Sequence, residues 1–372
     1  MKKLKKIFAI LLTGLMMVMA AGCGDTDAGT SSSSGGAPAA SNGKRIGVAM
    51  PTQSSQRWIQ DGSNMKQKLE ALGYTVDLQY AEDDVQAQVS QIENMITNGA
   101  NCLVVASIDS SALVNVLAQA KANKIPVIAY DRLLMDTDSV SYYATFDNKG
   151  VGTEIGKYVE KKLGLKEGKG PYNVEFFAGS PDDNNAHFLN DGLFEVLQPY
   201  ITSGQLVVPS GQTDFDSICT LRWSQETAQK RMEDIISGYY GNGKKLDAVI
   251  SPFDGISYGI SAALQGAGYQ VGTNWPIITG QDAELMASKN ILSGKQTMTV
   301  FKDTRILADK CVSMVQAVLE GKEPEVNDTT SYNNHKLIVP SYLCTPVAVD
   351  KDNVQSALID SGYYTKDQVG LK

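Results

Sequence analysis

From Arg45 onward, short apolar runs alternate with segments whose apolar residues recur every three or four positions, and this alternation leaves few possible folds. RIGVAM (45–50) reads as a strand, after which Trp58, Met65, Leu69 and Leu72 fall at helical spacing up to Gly73, a helix stop. TVDLQY (75–80) is a second strand. Val85, Val89, Ile92 and Ile96 form one helical face ending at Asn98-Gly99, CLVVAS (102–107) is a third strand, and Leu113, Val114 and Leu117 lead into PVIAYD (126–131). This β-α-β-α-β-α-β order predicts a parallel sheet with helices on both faces. SYYATF (141–146) leads to Asp147-Asn148, a helix N-cap, and the alternation restarts. YNVEFFAG, QLVVPSG, LDAVISP, PIITGQD and TMTVF read as strands, with helices beginning near Asn185, Trp223, Gly255, Ala283 and Asp303. Two such sets meeting near residue 147 predict an α/β protein of two lobes of similar size.

The first 43 residues are built differently. Lys2, Lys3, Lys5 and Lys6 precede an apolar run from Ile7 to Ala21. At about fifteen residues it falls short of the roughly 20 that span a bilayer, and a basic start with a small-residue end is the pattern of an export signal. Ala20-Ala21-Gly22-Cys23 resembles the bacterial lipobox, which implies a signal peptide over 1–22 and lipid on Cys23, stable as an anchor when more than one acyl chain is attached. Residues 23–43 carry almost no large apolar side chain and read as a flexible Gly/Ser tether. The expected location is extracytoplasmic, on the outer face of a Gram-positive cell membrane or in a periplasm.

The whole chain has a net charge of −8, and removing a signal with four lysines and no acids leaves 29 basic against 41 acidic residues, a net charge of −12. Such a surface disfavours nucleic acid and anionic lipid as partners, so the membrane contact expected is the lipid anchor alone. Cys102, Cys219, Cys311 and Cys344 show no CxxC spacing, which leaves a disulfide between any two of them open. His187 and His335 are the only histidines and lie far apart, which leaves little material for a zinc site or a Ser-His-Asp triad. No metal or cofactor is expected.

In open parallel sheets, ligands bind beyond the carboxyl ends of the strands. Those ends carry Gln53 to Trp58, Asp109, Asp131-Arg132, Asp182 to His187, Asp254, Asp282 and Lys302. Planar acceptors and charged donors dominate, and no nucleophile has a base at hand. AYDRL (129–133) is the most pointed case, delivering a carboxylate and a guanidinium side by side. Such a pair serves as a structural ion pair, half of a catalytic site or a hydrogen-bonding fork for a polar ligand.

Eight ordered stretches narrow the choice: QRW (56–58), QIENMITNGANCLVV (91–105), AYDRL, TFDNKGVG (145–152), GSPDDNNA (179–186), TGQDAE (279–284), QTMTVFKDTR (296–305) and VPSYLCTPVAVD (339–350). Together they resemble the type I periplasmic binding proteins for monosaccharides, in the xylose-binding and multiple-sugar-binding branch that serves ABC importers. The resemblance implies two Rossmann-like lobes, 44–146 plus 299–340 and 147–298 plus 341–372, joined by three crossovers and closing on a sugar by hinge bending. It also implies a non-enzymatic monomer whose partners are a permease and its ATPase.

On the same resemblance, Asp131 and Arg132 would contact sugar hydroxyls, Arg57 would donate and Trp58 would offer an apolar face, though Trp58 also fits a core position on its helix. Asp282 would be the second-lobe carboxylate or an N-cap, Lys302 a donor near the hinge or a solvated lysine. Asn185 resembles a hydrogen-bonding asparagine, with Asp183 and Asn184 as alternatives. His187 takes a hydrophilic position beside it or merely lines its helix, and Trp223 would be the second stacking wall. Where the xylose pattern has Asn-Asp, this chain keeps Asp254 but carries Phe253, which removes a donor, adds a flat apolar face and argues against strict xylose preference. Charge-assisted bonds of roughly 1.5 to 3 kcal/mol each suffice for a complex of about −8 kcal/mol after the costs of immobilisation.

Three other functions fit parts of the pattern. A sugar-responsive repressor needs a helix-turn-helix and a basic face, where this chain has a lipobox and an acidic body. A glycosidase could draw on Asp131, Asp254 and Asp282, but their cationic and amide neighbours suit holding a ground state. A sensor presenting a sugar or signal molecule to a membrane receptor kinase uses the same fold and the same closure.

Overall fold

The computed structural model describes residues 43–241 and 243–371. The expected signal peptide, Cys23 and the tether up to residue 42 lie outside the described residues. From its start the chain runs β1 (Arg45–Met50), α1 (Gln56–Ala71), β2 (Thr75–Tyr80), α2 (Val85–Thr97), β3 (Cys102–Val105), α3 (Val114–Ala122), β4 (Val127–Tyr130), β5 (Tyr142–Phe146) and α4 (Asn148–Leu163). It continues through β6 (Tyr172–Phe176), α5 (Asn184–Thr202), β7 (Leu206–Val207), α6 (Phe215–Ile218), α7 (Gln225–Tyr239), β8 (Ala248–Ile250), α8 (Asp254–Gly266), β9 (Ile277–Ile278) and α9 (Leu285–Ser293). β10 (Met298–Phe301), α10 (Thr304–Leu319), β11 (Ser341–Cys344), β12 (Val347–Asp350) and α11 (Lys366–Val369) complete it.

Two sheets organise these elements. The first is parallel, in the order β2-β1-β3-β4-β5-β11, and the second is parallel in the order β7-β6-β8-β9. β10 and β12 form an antiparallel pair, and a bridge from Gln281 to Val300 ties β10 to the end of β9. The chain therefore passes between the two bodies three times, after β5, after β10 and after β11. Two strands stand apart from the expected division: β10 belongs with the second body although 299 onward was assigned to the first, and β11 is an edge strand of the first sheet although 341 onward was assigned to the second. Periodicity marks a run as a strand but not its neighbour, and the Ser341 to Tyr143 register decides β11.

Local chemistry explains the element ends. Asp84, Asp147, Asp183 and Asp303 each accept from a backbone N–H of the helix they precede, filling donors that a helix start leaves open. β3 (CLVV) and β4 (VIAY) are buried throughout, because α1 and α10 cover one face of the first sheet and α2 and α3 the other. α4 and α5 approach so closely that a Cβ at Gly152 would overlap the Leu189 carbonyl. A smaller core gathers Ala283, Phe301, Val349, Leu358, Tyr364 and Val369. The four described cysteines are free, with Cys102, Cys311 and Cys344 buried and Cys219 partly so.

Candidate functional site

Residues that follow the strands of both bodies line one cavity of about 370 Å³, within the range of small-molecule sites. Arg57, Trp58, Asp131, Arg132, Asn185, Trp223, Asp282 and Lys302 all reach it. The first wall is a charge network. Arg57, the second residue of α1, donates through Nε to Asp61 at 2.9 Å and through Nη2 to Asp131, and its Nη1 lies 3.6 Å from Asp282 Oδ1. Burial works against that guanidinium's charge, but Asp131, Asp61 and Asp282 together push its pKa well above the usual arginine range. Asp131 is buried as well, and the cations of Arg57 and Lys302 overcome burial and hold its carboxyl below the usual range. Arg57 and Arg132 lie 4.6 and 5.1 Å from the Trp58 ring centroid, within cation–π reach.

Asp131 and Arg132 do not pair with each other. Asp131 turns to Arg57, while Arg132 donates from Nη1 to the Ser107 carbonyl at 2.9 Å and its Nε meets Asp183 at 3.0 Å. The backbone splits them, since Asp131 occupies the left-handed region at φ 59°, uncommon for a non-glycine residue. Tyr143, Thr145 and Asn185 hold that conformation by donating to the Asp131 carbonyl, the last two at 2.8 and 2.7 Å.

The second wall is more apolar and rests on strained turns. Arg222 and Trp223 sit at φ 56° and 55°, and Asp282 and Ala283 at 93° and 50°. Trp223 donates from Nε1 to Asp183 at 3.2 Å and meets Phe253 edge-on at 6.0 Å. A Cβ at Gly179 would overlap its ring. Asp282 Oδ1 lies 2.9 Å from Lys302 Nζ yet accepts no directed hydrogen bond, and the buried Gln281 Oε1 accepts none either. Buried acceptors are ordinarily satisfied; Asp282 Oδ1 has the Lys302 ammonium beside it, whereas Gln281 Oε1 stands without a partner.

Two of the site residues expected from the sequence are not brought to the cavity wall. His187 is exposed on α5, stacked on Phe215 at 4.2 Å, with Nε2 3.3 Å from the Pro181 carbonyl. Helical phase turns it away from its neighbour Asn185. Asp254 is fully buried at the start of α8, where it accepts from Gln296 at 2.7 Å, Thr299 at 2.9 Å and the Glu284 N–H at 2.9 Å. Burial, and next the Glu284 charge, push its pKa well up. Asn185 does line the cavity, but Tyr143 and Asn148 already donate to its Oδ1, which makes it a support for Asp131. Gln281, Glu284, Tyr258 and Arg222 also line the wall; proximity to Asp282 or Trp223 in the chain hinted at three of them, and nothing marked Tyr258.

Both rims are fastened. On one side the Ser110 N–H donates to the Asp182 carbonyl at 3.0 Å, and Arg222 donates to the Ile108 carbonyl at 3.3 Å. On the other, Ser55 donates to Glu284 at 2.9 Å and the Leu285 N–H to Gln56 at 3.2 Å. The two bodies are thus closed over the cavity. Among the described residues, no group of three or more His, Cys, Asp or Glu is arranged to hold a metal ion.

Donors, acceptors and flat apolar faces around one enclosed space suit a small, uncharged polyhydroxylated ligand, and known proteins point the same way. A family model described as a periplasmic binding protein domain matches residues 46–323. The multiple sugar-binding periplasmic protein SbpA of Azospirillum brasilense is 54% identical over 324 residues, 87% of this chain and 90% of that protein. The multiple sugar-binding periplasmic receptor ChvE of Rhizobium radiobacter is 53% identical over 325 residues, 87% of this chain and 92% of that protein. A crystal structure of an ABC transporter solute binding protein from Clostridium phytofermentans with bound β-D-glucose superposes with a TM-score of 0.85 at 56% identity, covering 88% of this chain and all of that one. The chain belongs to the periplasmic binding protein family, beside its multiple sugar-binding members.

Proposed function

We propose that this protein captures one monosaccharide, an aldopentose or aldohexose, in the cavity between its two bodies and delivers it to an ABC importer. The observation that carries the reading is a single cavity lined both by the charged side chains of Arg57, Asp131, Arg132, Asp282 and Lys302 and by the flat faces of Trp58, Trp223 and Phe253. Sugar hydroxyls would donate to Asp131, Asp282 and Gln281 and accept from Arg132 and Lys302, while the ring's C–H faces rest on the aromatics. The names and bound sugar of the relatives support this. Release then requires the rim contacts to break, so the two bodies move as lobes about the three passages between them.

The sequence adds a finer reading: Cys23 carries lipid, the protein acts as a monomer tethered to the membrane, and Cys23→Ser releases it into the medium. The function itself is tested by thermal unfolding of the soluble chain with D-glucose, D-galactose, L-arabinose and D-xylose. A ligand at about 100 times its Kd stabilises by about 2.7 kcal/mol, so at least one of these sugars should raise Tm by several degrees. No shift with any of them overturns the reading.

A further inference from the structure

Asp282 reaches the cavity from a turn in which two successive non-glycine residues, Asp282 and Ala283, occupy left-handed backbone. Such conformations cost free energy and persist only where the surroundings enforce them. Part of the enforcement is local: Asp254 accepts from the Glu284 N–H, and Thr299 accepts from the Ala283 N–H at 3.1 Å. The rest comes from the C-terminal segment, beyond the stretch matched by the family model. The Tyr364 hydroxyl donates to the Ala283 carbonyl at 3.1 Å from a buried position. Its neighbour Tyr363 crosses to the other body, donating to Gln60 on α1 at 2.9 Å, three residues after Arg57. The two rings meet edge-on at 4.8 Å, and Tyr363 meets Phe301, which immediately precedes Lys302, at 4.7 Å.

We propose that Tyr363 and Tyr364 are positioning residues: they clamp the Asp282 turn and the end of β10 against α1, setting the placement of Asp282 and Lys302 relative to Arg57 in the closed cavity. The effect on ligand rests on the monosaccharide reading above, and the clamp itself does not.

Tyr363→Phe and Tyr364→Phe keep the rings and remove only the hydroxyl bonds. Hydrogen exchange of the segment 281–285 in the unliganded protein tests the clamp without any sugar: Tyr364→Phe should speed it by about tenfold, the equilibrium effect of one buried hydrogen bond, and unchanged exchange overturns the proposal. With D-glucose as probe, both variants should release ligand about tenfold faster with association nearly unchanged, while unliganded Tm falls by no more than a few degrees. A variant that exchanges faster but binds and releases D-glucose like the parent overturns the positioning role. If the parent protein binds none of the four sugars, the monosaccharide reading falls, and exchange in 281–285 still decides the clamp.

Discussion

Asp131 and Asp254 each follow an apolar strand, β4 and β8, and end in opposite situations. Asp131 turns through left-handed backbone, and its carboxylate joins Arg57 at the cavity wall. Asp254 enters a helix directly, and its two oxygens are taken up by Gln296, Thr299 and the Glu284 N–H. One carboxylate lies at the cavity wall, while the other fixes the turn that carries a different one, Asp282. A strand's carboxyl end therefore gives the address of a side chain but not its direction, which depends on the next dihedral and on the donors waiting nearby.

The comparison can be broken most forcefully at Arg57. Arg57→Ala leaves Asp61, Asp131 and Asp282 without their shared cation, and losing one partner of a buried ion pair should cost about 3 to 5 kcal/mol in denaturant unfolding. A loss below about 1 kcal/mol, the scale of surface pairs, would mean that the network does not organise the first wall. Next comes the contrast itself. Asp254→Ala strands three buried donors and should cost about 2 to 4 kcal/mol of stability, whereas Asp131→Ala should show chiefly as a sugar affinity lower by at least about tenfold in calorimetry. If the two substitutions exchanged these signatures, the assignment of roles would be reversed.

Asp61 sharpens the electrostatic side. Burial, against the attraction of Arg57, pushes its carboxyl up to about 6 from 3.8. A carboxyl with a raised folded pKa contributes stability that is fully present below its unfolded value and is lost as pH rises through the folded one. Relative to Asp61→Asn, the parent protein should thus lose roughly 2 to 3 kcal/mol between about pH 4 and 6. Asp131, held low, contributes in the opposite sense, its share present above the ordinary carboxylate range and lost as pH falls below it. A flat difference between parent and Asp61→Asn across pH 4 to 6 would mean that Arg57 and Tyr130 fully offset the burial of Asp61. The smallest effect belongs to His187: His187→Ala, on an exposed helix face, should change stability by no more than about 0.5 kcal/mol and leave sugar affinity unchanged.

Much of the architecture was legible because burial imposes a period. β1 to β5 and the intervening helices appear where RIGVAM, CLVVAS and the spacing of Val85, Val89, Ile92 and Ile96 mark them. β11 and β12 escaped that reading: neither is buried throughout as β3 and β4 are, so neither shows the unbroken apolar run that marks those strands. At the site, Asp131, Arg132, Arg57, Trp58, Asp282 and Lys302, all of which line the cavity, were legible as residues placed past strand ends or in matching motifs, whereas Trp223 stood in neither. His187 and Asp254 met the same criteria and stand elsewhere.

Through the alternation of buried runs and one-sided helices, the sequence alone determined that this chain forms parallel sheets and which loops gather at their carboxyl ends, because apolar burial obeys local spacing. Only the tertiary structure decided that Arg57 would serve three carboxylates, that Asp131 and Arg132 would turn to different partners, and that a C-terminal tyrosine pair would brace Asp282. Those outcomes depend on hydrogen bonds between residues up to 303 positions apart, and no local pattern records which distant groups a fold will bring within bonding distance.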